Sequence, residues 1–69
     1  MSATDAAAWE VAKLLPRAGE TVEQFARRGY QVQMNVYSAY AMGDLSTDFD
    51  LLSERDRNGW LRWARARMV

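Results

Sequence analysis

Residues 21–43 read TVEQFARRGYQVQMNVYSAYAMG, and the period assigned to them decides the fold. Two periods fit. Val22, Phe25, Gly29, Val32, Val36, Ala39 and Gly43 fall at alternating spacings of three and four, a heptad seam on one helix. Ala26, Tyr30, Gln33, Tyr37 and Tyr40 run beside it. Against this, Tyr30, Val32, Met34 and Val36 alternate with Gln31, Gln33 and Asn35, a strand period with Gly29 as the break before it. No other stretch reads as a strand, so a strand here would need a second copy to pair with. The helix reading is the more consistent one. Thr21 opens it with Gln24 at the capping-box spacing. Glu23 and Arg27 are spaced for an i,i+4 ion pair.

The helix then spans 22–42, with Gly43 as its C-cap. Upstream, a first helix over 5–15 has Thr4 or Asp5 as its cap and ends at Pro16. Its apolar face is Trp9, Val11, Ala12, Leu14 and Leu15, and Glu10 can pair with Lys13. Downstream, Ser46 or Thr47 caps a short turn over 48–52. Ser53, with Asp56 at the capping-box position, starts a last helix over 54–67. Trp60, Leu61, Ala64 and Met68 form its stripe. Gly59 inside it costs about 1 kcal/mol relative to Ala and suits the close approach of another helix. Trp9 and Trp60 read as core, Trp63 as the more exposed ring. The expected fold is all-α: a single domain, 1–69, of about three helices.

The 69 residues include no Cys and no His. Disulfides, Cys/His zinc sites, thiolate catalysis and imidazole catalysis are therefore excluded. A domain of this size rarely gains more than roughly 3–5 kcal/mol from its own core. With those staples missing, self-association is the expected remedy. The apolar run Ala6 to Trp9 is too short for a signal peptide or a spanning segment, so a cytoplasmic protein with no membrane contact is expected.

Nine basic residues balance nine acidic ones, yet the charges are segregated. Asp44, Asp48, Asp50, Glu54 and Asp56 face only Arg55 within 43–56, while Arg57, Arg62, Arg65 and Arg67 stand alone in 57–69. Part of this suits the dipole of the last helix. Asp48, Asp50 and Glu54 resemble the start of a calcium loop, but Ser53 occupies the position that needs glycine. No metal and no cofactor are expected. The single lysine, Lys13, and the absence of a Gly-rich phosphate loop leave no enzyme signature. Trp60, Arg62, Trp63, Arg65 and Arg67 interleave rings with guanidinium groups, a surface that suits nucleic acid, but the net charge of zero argues against it. The strand reading gives a specific alternative, a ribbon-helix-helix dimer reading DNA through residues 30–36.

Protein binding fits the composition best. Tyr, Trp and Arg are enriched at interface hot spots. The candidate contact residues are Arg27, Arg28, Tyr30, Tyr37 and Tyr40 on the middle helix and Arg62, Trp63 and Arg65 on the last. The candidate homodimer seam is Val22, Phe25, Gly29, Val32, Val36 and Ala39.

From Tyr37 onward the chain reads YSAYAMGDL and then FDLLSERDRNGWLRWARA. This resembles small phage-encoded helical proteins, through Phe49, Leu52, Trp60 and Ala64. Residues 1–36 do not match that pattern. In size and helical character the chain is similar to phage anti-quorum-sensing proteins. That resemblance implies an inhibitor of a host protein, such as a quorum-sensing transcription activator or a pilus motor ATPase. The anti-CRISPR proteins are a second class of similar size.

Overall fold

The structure, a computed structural model, describes residues 2–40 and 47–68. It contains α1 (Ala3–Ala12), α2 (Val22–Ala39), a single 3-10 turn (Phe49–Leu51) and α3 (Glu54–Arg67). The domain is all-α, with no strand among the described residues. Helix α2 is the centre, and α1 and α3 both pack on it.

Helix α2 starts where a reciprocal cap forms. Thr21 Oγ1 accepts from the Gln24 N–H at 3.1 Å, and Gln24 Oε1 accepts from the Thr21 N–H at 2.9 Å. The helix continues unbroken through residues 30–36, so the strand alternative is wrong and the ribbon-helix-helix reading falls with it. The apparent alternation conceals two helical stripes. Tyr30 and Met34, one turn apart, pack in the core, while Val32 and Val36, one turn apart, line a depression beside α1. Helix α2 ends at Ala39 with Tyr40 as its cap. The expected extension over 41–42, the Gly43 cap, Asp44 and Ser46 lie outside the described residues.

Helix α1 is shorter than expected and starts earlier. Ser2, rather than Thr4 or Asp5, caps it, its Oγ accepting from the Asp5 N–H at 3.1 Å. It stops at Ala12 because Pro16 has no N–H to give the Ala12 carbonyl and forces Leu15 out of the helical region. The guanidinium of Arg67 donates to that carbonyl instead, at 3.2 Å. Leu15 is left 74% exposed, so it is not part of the apolar face.

At the 3-10 turn Asp48, rather than Thr47, is the cap, and its Oδ1 accepts from the Asp50 N–H at 3.0 Å. Ser53 Oγ caps α3 as expected, accepting from the Asp56 N–H at 3.2 Å. Arg65 and Arg67 occupy the last turn of α3, where the helix dipole favours them.

The core lies between α2 and α3. Phe25, Ala26 and Ala64 are fully buried. A string of rings runs through it. Phe25 stacks on Trp63 at 4.7 Å between centroids, and Trp63 meets Trp60 edge-on at 5.4 Å. Trp60 meets Tyr30 at 6.0 Å, and Tyr30 meets Phe49 at 6.2 Å. Each such pair contributes about 0.5–1.5 kcal/mol beyond the apolar area it buries.

The string needs Gly29. A Cβ there would sit 2.6 and 2.8 Å from two atoms of the Trp63 ring and 3.0 Å from the Trp60 ring. Close helix approach thus occurs at Gly29, while a Cβ at Gly59 would meet nothing within 4 Å. This corrects the expected role of Gly59. It also reverses two tryptophans. Trp63 is half-buried against the core, and Trp9 is 58% exposed. Trp60 packs in the core, as expected.

Candidate protein-binding groove

Helices α1 and α3 lean on α2 and leave a trough between them. Tyr30, Gln33 and Met34 of α2 floor it, while Val11 of α1 and Trp60 and Trp63 of α3 form its walls. Leu52, Asp56 and Gly59 complete one end, and the volume is about 580 Å³. A smaller continuation of about 290 Å³ shares Val11, Gln33 and Trp60 and reaches Thr4, Ala7, Ala8 and Tyr37.

The α2 residues of the trough fall on one stripe, because Tyr30, Gln33, Met34 and Tyr37 recur at spacings of three and four. The wall residues are placed by tertiary packing. Gly29 draws the α3 rings in, and the Arg67 bond to the Ala12 carbonyl ties the C-terminal ends of α1 and α3. The polar groups of the trough are few. Gln33 Nε2 donates to the Tyr37 hydroxyl at 3.1 Å, and Asp56 is exposed at one end. An apolar surface with a few convergent polar groups can bind and orient a ligand chain.

Two of the expected contact residues act as clamps within the fold. Arg27 donates to Glu23 at 2.8 Å and to Asp50 at 2.6 Å, tying the 3-10 turn to α2. Hydrogen bonding to Asp50, then to Glu23, raises the Arg27 pKa. The same bond lowers that of Asp50. Arg28 donates to Glu20 at 2.8 Å and to the Leu15 carbonyl at 2.6 Å, fixing the loop between α1 and α2. The hydrogen bond from Arg28, then that from the Arg17 N–H, lowers the Glu20 carboxyl to about 2. Arg28 is shifted upward in return, chiefly by its bond to Glu20.

The remaining expected contacts divide among three places. Tyr30, Tyr37 and Trp63 line the trough. Arg62 and Arg65 are exposed on α3. Tyr40 lines a second depression, of about 360 Å³, on the other flank of α1.

The expected dimer seam does not exist as one surface. Phe25 and Gly29 are buried within the chain, and Val22 packs against the same core. The reason is that the α3 rings cover the first turns of α2. Val32, Val36 and Ala39 line the second depression together with Ala6 and Glu10.

Sequence reasoning missed Val11, Gln33, Met34, Leu52 and Trp60 as trough residues. The stripe of Tyr30, Gln33 and Tyr37 was the available signal, but the elements that wall it are set by long-range packing. Among the described residues, no group of three acids converges as a metal site, and no helix is long and apolar enough to cross a membrane.

The chain matches no protein-family model, no curated protein and no solved structure.

Proposed function

We propose that the chain is a non-enzymatic protein-binding module that acts by occupying its partner, with the trough between α1 and α3 as the main contact. The observation that carries this reading is the open trough of about 580 Å³ with Tyr30, Met34, Trp60 and Trp63 along its surface. Aromatic rings set in a concave apolar site are the usual anchors of a protein interface. From Thr4 to Val11 the α1 wall runs roughly 10 Å at the helical rise of about 1.5 Å per residue. That length suits about two turns of an amphipathic partner helix, read through anchors at i, i+3 or i+4, and i+7. Asp56 at one end favours a basic residue on that helix. The resemblance to phage host-takeover proteins supplies the class of partner: a host regulator, such as a transcription activator, or a motor ATPase. Binding at one copy per target would block that partner without chemistry.

Site-specific photo-crosslinking tests the surface. A crosslinker at Gln33, on the trough floor, should capture a defined partner, and Met34→Arg elsewhere on the floor should abolish the capture. Capture from Arg62 instead, unaffected by Met34→Arg, would contradict the trough and assign binding to the outer face of α3. The inhibitory role is tested by titration. The target's activity should fall to its floor at a ratio near one to one.

A further inference from the structure

The outer side of α1 carries a pattern that the trough does not use. Seven of the ten α1 residues are Ala, Val or Trp, and they lie almost all round the helix. A helix apolar on every side is ordinarily covered on more than one side. Ala6, Ala7 and Val11 are buried. Ala8 and Ala12 are exposed, and Trp9 is 58% exposed.

Charge is arranged about that ring. Asp5, Trp9 and Lys13 are spaced at i, i+4 and i+8, so they form one stripe along the helix. Asp5 and Lys13 stand four residues to either side of Trp9 and are opposite in sign. Lys13 Nζ lies 3.9 Å from the centre of the Trp9 ring and 3.2 Å from Glu10 Oε1. Its ammonium has three donors, so it can donate to a second carboxylate.

We propose that α1 pairs antiparallel with α1 of a second copy, across a two-fold axis at Trp9. A two-fold interface must be complementary to itself. Here the antiparallel arrangement sets Asp5 of each copy opposite Lys13 of the other, with the two Trp9 rings between the two ion pairs. The small side chain of Ala12, exposed beside the stripe, lets the helices approach. A parallel arrangement would set like charges opposite each other. Asp5, Trp9 and Lys13 line neither the trough nor its continuation, so substitutions on the stripe test the dimer without touching the trough.

Sedimentation equilibrium over a wide concentration range tests the pairing, with circular dichroism to verify that each variant keeps its helices. The native chain should dimerise, and Trp9→Ala should sediment as a monomer. Asp5→Lys and Lys13→Asp should each weaken dimerisation by more than about tenfold, because each sets like charges opposite at both ends. An equimolar mixture of those two variants should recover a mixed dimer, since every opposed pair is again of opposite sign. A native chain that stays monomeric at millimolar concentration overturns the proposal. So does a dimer that survives Trp9→Ala, or a mixture no tighter than its components. Asp5→Lys also works against the dipole at the start of α1. If that variant loses helix, Lys13→Asp and Trp9→Ala decide the matter alone.

Discussion

The two sides of α2 are built from different materials. Toward α3 the packing is made of rings: Phe25 stacks on Trp63 at 4.7 Å, and Gly29 leaves room for Trp60 and Trp63 to approach the helix backbone. Toward α1 the buried residues are Ala6, Ala7 and Val11, and the one large ring of α1 points outward. Apolar burial stabilises in proportion to area, so the ring side contributes much more. The α3 side of α2 carries the larger buried rings, and the outer side of α1 is left with uncovered surface at Trp9.

The largest effect that can break this contrast is truncation of the ring string. Phe25→Ala should cost about 3–5 kcal/mol, comparable to the whole stability of a domain this size, and should unfold the chain in a urea titration followed by circular dichroism. Stable folding of that variant would show that the α3 side is not the dominant half.

The two helical glycines sharpen the contrast. Gly29→Ala gains helix propensity but drives a Cβ into Trp63, a ring already held against Phe25. It should destabilise by about 1–3 kcal/mol. Gly59→Ala meets no neighbour within 4 Å and should stabilise by up to about 1 kcal/mol. Equal shifts in the urea midpoints of the two variants would mean that the rings do not sit on Gly29.

A third effect concerns the loop that joins the two halves. Glu20 titrates near 4.5 when free and near 2 in the fold, where it accepts from Arg28 and the Arg17 N–H. The folded state thus holds the carboxylate more strongly than the unfolded state does. The contribution is complete above about pH 4.5 and is lost as the pH falls toward 2. Glu20→Gln should flatten that acid limb of the melting temperature against pH. Asp50, lowered by Arg27, adds to the same limb and should keep part of it in the variant. An acid limb identical in the two proteins would remove the Glu20 clamp.

The smallest effect belongs to Trp9. In dilute solution, with the chain as a monomer, Trp9→Ala should change stability by less than about 0.5 kcal/mol, because an exposed ring loses little on removal. A large loss in the monomer would place Trp9 in the fold, against its exposure.

What could be read in the sequence was what short-range chemistry controls. Thr21 with Gln24 and Ser53 with Asp56 cap helices through groups three residues apart, and both caps are present. The course of α2 through residues 30–36 followed from the absence of any strand partner. Long-range choices were hidden. Which tryptophan is inside depends on where α3 crosses α2, and that crossing is set by Gly29, on another helix from the rings it admits. Arg27 and Arg28 looked like surface anchors because Asp50 is 23 residues from the first and Glu20 lies across a turn from the second. The end of α1 is set by the hydrogen bond that Pro16 cannot make, a local cause whose effect falls four residues upstream.

Native-state hydrogen exchange resolved by residue tests the central contrast most directly. The account predicts that amides of α2 between Phe25 and Tyr30, and of α3 around Ala64, exchange only through global unfolding. Those of α1 should exchange through a cheaper local opening in dilute solution and gain protection as concentration rises. Amides of α1 protected as strongly as those of α2 at the lowest concentration, with no change on concentrating, would contradict it.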